Sequence, residues 1–265
     1  MAKVGFIGLG SQGAPMARRM VDAGYELVLW ARRPESLEPF ADTAAEYAAS
    51  VEALGEQVEH VGVCVVDDAG VQQVCTQLLS VMAPGSRIAI HSTVHPDLCK
   101  KLAQQAAEKN IALVDAPVSG GGSGAADGTL TVMVGGDADA VAAVKPVFET
   151  FAGLIVHLGA VGAGQHAKLV NNAMMAANLA IAHHGLESAE ALGIDRAAFI
   201  DLVKVSSARS FSFDVCARMP NPAAFNHGAK LLQKDVNLLG EAMGDSSSFD
   251  AIEATARPFL ELALK

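Results

Sequence analysis

The chain opens on Val4-Gly5-Phe6-Ile7-Gly8-Leu9-Gly10-Ser11-Gln12-Gly13, an apolar run followed by three glycines at GxGxxG spacing and then a helical pattern. A strand that turns directly into a helix on this spacing begins a βαβ unit, and such units build a mostly parallel sheet. Gly8 permits the tight turn, Gly10 lets backbone amides approach a pyrophosphate, and Gly13 lets helix and strand pack closely. The phosphates then lie at the positive end of the helix dipole. Leu9, Ser11 and Gln12 complete the turn and are counted with its glycines as cofactor-binding positions. Glycine-rich turns are common, so the flanking strand and helix carry the weight of this reading.

The rest of the first half fits that start. Candidate strands at Lys3–Ile7, Glu26–Trp30, His60–Val66, Arg87–His91 and Ile111–Asp115 alternate with helical spacing at Ala14–Ala23, Val71–Met82 and Pro96–Lys109. A strand at Leu130–Val134, a helix at Ala138–Thr150 and a strand at Leu154–Leu158 follow a glycine-rich stretch. After Gly164 the strand pattern vanishes. The expected architecture is therefore a Rossmann-type α/β domain over residues 1–162, which binds the dinucleotide. An all-α domain for substrate and dimerisation follows over 163–265, the two being joined by a long helix. At the end of the second strand, where an NAD site wants an acid for the ribose hydroxyls, the chain has Trp30-Ala31-Arg32-Arg33-Pro34; Glu35 comes only after the proline. Arg32 and Arg33 suit a 2′-phosphate, so NADP is the expected cofactor, the bland alternative being a solvated surface pair.

The long helix from Gln165 to about Leu192 is apolar on every face, which predicts burial between domains or subunits. Lys168 and Asn172 are four apart and share one side of it. A lone lysine on a helix usually snorkels to the surface. Among these apolar neighbours an ammonium is costly without partners or a lowered pKa, and both mark active sites. The stretch Asp115-Ala-Pro-Val-Ser119-Gly120-Gly121-Gly122 reads either as a flexible loop or as a small anion cradle of backbone amides and a hydroxyl. Lys234-Asp235 lies in the helical half.

Taken in order, GFIGLGSQGAPMA, STV-HP, DAPVSGG..GA..GTL..MVGG, G..G.G...K...N and KD-V-L resemble the β-hydroxyacid dehydrogenase family over essentially the whole chain. The resemblance implies interconversion of a small β-hydroxy acid and its semialdehyde or oxo acid. It implies Lys168 as proton donor and acceptor with Asn172 beside it, and Ser119, Gly120 and Gly121 on the substrate carboxylate. Val65, Val66 and Thr93 would line the nicotinamide side, and Lys234 would reach the cofactor. Gln12 departs from the usual Met or Ile. His227 stands where the family usually carries Phe, eight residues before the Asp of the Lys-Asp pair, with Phe225 two residues earlier; either is a candidate to face the substrate. The family pattern also implies a longer tail, so the last helix is expected to be incomplete.

Composition narrows the partners. A net charge of −10 with no basic run disfavours nucleic acid and anionic membrane. A charged share of 18% is low for a monomer, so a homodimer or homotetramer is expected. Four cysteines without a CxxC pair, and no signal-peptide core, indicate reduced thiols and a cytoplasmic setting. No metal is expected: His91 and His95 flank a strand end without a third ligand, and His183 and His184 are expected to pair with Glu187. Two other readings use the same scaffold. An imine reductase-like enzyme typically lacks the lysine, and a non-catalytic NADP-binding scaffold module often loses it; Lys168 weighs against both.

Overall fold

The computed structural model describes residues 3–265. Met1 and Ala2, the first residues of the expected nucleotide domain, lie outside the described residues. The strands are β1 Val4–Ile7, β2 Leu27–Trp30, β3 Glu46–Tyr47, β4 His60–Val63, β5 Arg87–Ile90, β6 Ala112–Asp115, β7 Val118–Ser119, β8 Leu130–Gly135 and β9 Ala152–Gly159. They form one sheet in the order β3-β2-β1-β4-β5-β6-β8-β7, with β9 on β8. Pairing is parallel from β3 through β6, turns antiparallel where Asp115 meets Gly135, and is parallel again between β8 and β9.

The helices are α1 Gly13–Asp22, α2 Val51–Gly55, α3 Asp68–Val81, α4 Pro96–Ala107, α5 Gly121–Asp127, α6 Ala138–Phe148, α7 Ala163–Ala191, α8 Arg196–Val205, α9 Phe211–Arg218, α10 Asn226–Met243 and α11 Ser247–Ala263. The sequence expectation of a mostly parallel α/β domain followed by helices is met. Strands such as VGFI are buried along their whole length because both sheet faces are covered. Successive side chains feed different cores: Phe6 joins Met16, Leu29 and Phe148, whereas Ile7 joins Val28, Leu54 and Val61.

Side-chain caps set several helix starts. Asp67 accepts from Gly70 N and begins α3 three residues before the apolar run signalled it; Asp137 caps α6 in the same way. The chain divides into two compact units, one ending at Lys168 and the other beginning at Leu169. The second has its own core, with Leu169, Ala173, Ala176 and Leu179 of α7 packed with Val236, Leu239, Phe259 and Leu260. None of the helices among the described residues is long and apolar enough to cross a membrane.

On helix α7, Val170, Met174 and Ile181 form a stripe that is exposed in the single chain, at 40%, 53% and 61%, while Leu169, Ala173 and Ala176 pack into the helical core. The stretch after Asp115 is not a plain loop. Val118 and Ser119 pair with Val132 and Thr131, and Gly121–Asp127 is helical.

Candidate active site

The sheet order reverses at β1, with β2 and β3 on one side and β4, β5 and β6 on the other. In open α/β sheets this is where ligands bind, beyond the carboxyl ends of the strands. The Gly8–Gly13 turn leaves β1 at that edge. Gly8 has φ +103°, and a Cβ there would collide with Cys64 O; a Cβ on Gly13 would collide with Gly8 O. Nothing lies within 4 Å of a Cβ built on Gly10. The turn is thus closed where strand and helix pack and open where a pyrophosphate needs room, and α1 has no acid in its first turn to oppose an anion. Leu9 is buried, Ser11 exposed and Gln12 half-buried. Arg32 and Arg33 are exposed just past β2, and Glu35 lies in the 3-10 turn Pro34–Phe40 that follows. These residues fit a dinucleotide.

At the ends of β4 and β5, Val65 N donates to Ser92 Oγ at 2.8 Å. Val66 is 77% exposed, and Thr93 is half-buried. The Ser119 segment reaches the same edge. Gly120 and Gly121 have φ +129° and +67°, which glycine adopts freely, and a Cβ on Gly122 would lie 2.6 Å from Ser11 O. The segment therefore lies directly against the Gly8–Gly13 turn.

The start of α7 is anchored by two residues to which the sequence reading gave no role. Asp115, fully buried at the end of β6, accepts from Gly162 N and Gln165 N, each at 2.7 Å. Burial pushes its carboxyl above the usual range, against the pull of these amides. Gln165 Nε2 donates to Ser92 O at 2.8 Å, and its Oε1 accepts from Val94 N at 3.2 Å. One turn beyond Gln165 is Lys168, 8% exposed, and one turn further is Asn172, also 8% exposed.

In the helical unit, Asn172 Nδ2 donates to Asp235 Oδ2 at 2.6 Å, and Lys234 Nζ lies 3.1 Å from Asp235 Oδ1. A carboxylate only accepts, so Asp235 fixes which end of the Asn172 amide faces it. Asp235 is 3% exposed and is the third site residue without an assigned role; its adjacency to Lys234 was the available signal. His227 is exposed in the first turn of α10 and lies two turns before Lys234 on the same side. Phe225 is engaged elsewhere: its ring covers Gly228 and lies 6.3 Å from that of Phe259, within the helical core.

The histidines near strand β5 are separately occupied. His91 Nδ1 is 2.9 Å from Ala116 O, while His95 Nδ1 caps α4 by accepting from Asp97 N. Among the described residues, His183, His184 and Glu187 form the one group at metal-ligand spacing. There Glu187 already pairs with both rings, at 3.3 and 2.9 Å.

Residues 3–159 match the family profile described as the NAD binding domain of 6-phosphogluconate dehydrogenase. Residues 162–260 match that described as NAD-binding of NADP-dependent 3-hydroxyisobutyrate dehydrogenase. The chain belongs to the β-hydroxyacid dehydrogenase family. The NAD-dependent L-serine dehydrogenase of Pseudomonas aeruginosa is 33% identical, across 100% of this chain and 93% of its own length. The mitochondrial 3-hydroxyisobutyrate dehydrogenase of Mus musculus is 31% identical across 89% of this chain and 74% of its own. A solved structure of Mycobacterium tuberculosis 3-hydroxyisobutyrate dehydrogenase with L-serine has a TM-score of 0.88 at 27% identity, covering 99% of this chain and 94% of that one. This β-hydroxyacid dehydrogenase is thus an oxidoreductase of CH–OH groups that carries a nicotinamide-dinucleotide-binding domain.

Proposed function

We propose that this β-hydroxyacid dehydrogenase uses NADP(H) to interconvert a short β-hydroxy acid and its semialdehyde, with Lys168 as the proton donor and acceptor. The observation that carries the reading is Lys168 itself, a buried amine on α7 one turn ahead of an asparagine that Asp235 holds in place. The relatives named for L-serine and 3-hydroxyisobutyrate share one substrate chemistry, a carboxylate two bonds from a primary alcohol carbon. When bound, the nicotinamide supplies or accepts the hydride. In reduction, Lys168 gives a proton to the oxygen that becomes the alcohol; in oxidation it takes that proton back. Asn172, with one amide N–H committed to Asp235, has a second to hold the same oxygen. Ser119, Gly120 and Gly121 receive the substrate carboxylate; in the helical unit His227 is the residue assigned to the substrate and Lys234 the one assigned to the cofactor. Val65, Val66 and Thr93 border the nicotinamide. The exposed stripe on α7 supports the homo-oligomer, and the free cysteines, three of them buried, suit a reducing cytoplasm.

The cofactor choice rests on Arg32 and Arg33 and on the missing acid after β2. NADPH is expected to bind more tightly than NADH by about 1–3 kcal/mol, the scale of charge-assisted hydrogen bonds. Changing both arginines to alanine is expected to erase most of that gap in a direct titration. A wild-type preference for NADH defeats the assignment.

The carboxylate assignment is tested separately. Ser119→Ala is expected to raise KM for an acid substrate by about tenfold, one charge-assisted bond's worth, and to leave the NADPH dissociation constant within about threefold. Methyl esters of a good substrate are expected to turn over poorly. Equal kcat/KM for acid and ester removes Ser119 from the substrate site.

A further inference from the structure

We propose that Gln165 is a positioning residue, which clamps the Thr93 segment to the helix carrying Lys168. Gln165 is fully buried, on the first turn of α7, and its amide is used at both ends. Nε2 donates to Ser92 O and Oε1 accepts from Val94 N, so the two bonds bracket Thr93 on either side. Ser92 in turn takes the Val65 amide on its hydroxyl, which ties the end of β4 into the same chain of bonds. Asp115 fixes the other side of Gln165 by accepting its backbone N–H, together with that of Gly162. One side chain thus joins three parts of the candidate site: the Val65 strand end, the Thr93 turn and the helix that bears Lys168 one turn later.

The residue type matters. A backbone N–H and a backbone C=O two residues apart need one acceptor and one donor at the tip of a single side chain. A carboxamide provides both without charge; a carboxylate offers only acceptors, and an aliphatic side chain offers neither. The spacing from Gln165 to Lys168 is rigid because both lie in one helix. Holding Thr93 to Gln165 therefore holds it at a fixed separation from the Lys168 backbone. Small losses of such registry are costly, since misplacement by about 1 Å can slow a reaction by about 10²-fold.

This inference rests on the catalytic reading of Lys168 and Thr93, and its test separates the two. Two variants are compared, Q165L and the isosteric Q165E. The first readout is amide hydrogen exchange in the cofactor-free protein. In Q165L the Val94 and Val65 amides are expected to exchange at least about tenfold faster than in wild type, while those of β1 and β8 keep their protection. The second readout is turnover. In Q165L kcat is expected to fall by about 10–100-fold, with NADPH affinity within about threefold.

The third readout is the pH profile of Q165E. Its protonated carboxyl donates to Ser92 O and accepts from Val94 N, whereas its carboxylate sets two acceptors face to face. Burial raises the pKa of that carboxyl, so Q165E is expected to approach wild-type kcat at acidic pH and fall to the Q165L level as it ionises. A purely structural glutamine would lower the melting temperature and leave kcat of the folded enzyme unchanged, without that limb. Unchanged Val94 exchange, or wild-type kcat in folded Q165L, overturns the proposal. Should Q165L not fold, the Q165E pH limb decides: its absence overturns the clamp. If Lys168→Ala keeps wild-type turnover, the catalytic reading fails, while the exchange result still reports on the clamp.

Discussion

Lowering the pH from 8 to 5 is expected to remove about 4 kcal/mol of stability through two buried histidines, about 2 kcal/mol from each. His60 and His91 lie within the α/β unit, 4% and 2% exposed, around Phe148. Burial lowers the His60 pKa from 6.5 to about 3, helped by His91 and Arg87, and that of His91 to about 4. The unfolded chain takes up protons at both positions near pH 6.5 while the folded chain does not. Between pH 6.5 and those lowered values the unfolded state binds more protons, so stability falls with pH across that window and is fully present above it. A loss of this size is a large share of the 5–15 kcal/mol typical of a folded protein. Asp115 works in the opposite sense, because burial holds its carboxyl above the usual range and the folded chain gains by binding a proton there. The histidine contribution is isolated by His60→Phe. Neither ring nitrogen of His60 has a hydrogen-bond partner among the described residues, so an apolar ring costs no bond. Urea titrations at pH 8 and pH 5 are expected to show the variant losing about 2 kcal/mol less than wild type. Equal losses in the two proteins show that His60 does not titrate on unfolding.

The sequence disclosed the fold where burial dictates composition. β1, β2, β4, β5 and β6 are short apolar runs because both sheet faces are covered, and their expected ends fall within a few residues of those observed. It concealed β3, whose two residues Glu46 and Tyr47 are exposed and show no alternation, and α2, too short for a helical period to register. It misled at α5. Gly121-Gly122-Ser123-Gly124 is a poor helix former, yet Gly122 and Gly124 are small because Ser11 and Leu130 approach them closely. On α7 an apolar circumference cannot tell a face covered by its own chain from one that the single chain leaves exposed, as at Val170, Met174 and Ile181. In the candidate site, the turn at Gly8, Gly10 and Gly13 was legible because the packing that requires those glycines is local. Asp115, Gln165 and Asp235 were not assigned, because their partners lie 47 to 73 residues away along the chain and no spacing rule reaches that far.

Replacing Lys168 with alanine is expected to cost about 10²–10⁴-fold in turnover, the usual worth of a positioned proton-transfer group. Cofactor binding and folding are expected to survive, because the proposed pyrophosphate turn is Gly8–Gly13 and the cores of both units are built from other side chains. The size of the loss follows from what alanine removes. Asn172 remains tied to Asp235, but an amide can hold the substrate oxygen and cannot hand it a proton. Arginine is expected not to rescue the variant, since a guanidinium keeps its proton and cannot accept another from the alcohol. In the oxidative direction the amine must be neutral to act as a base. Wild-type oxidation is therefore expected to rise with pH along a limb that Lys168→Ala lacks, whereas a lysine needed only for substrate affinity would change KM and leave that limb in place. The measurements are steady-state oxidation and reduction across pH, with NADPH affinity titrated on the same preparations. A folded, NADPH-binding Lys168→Ala enzyme with wild-type kcat in both directions would show that the proton moves through some other group, and Asn172 and Asp235 would then have no lysine to serve.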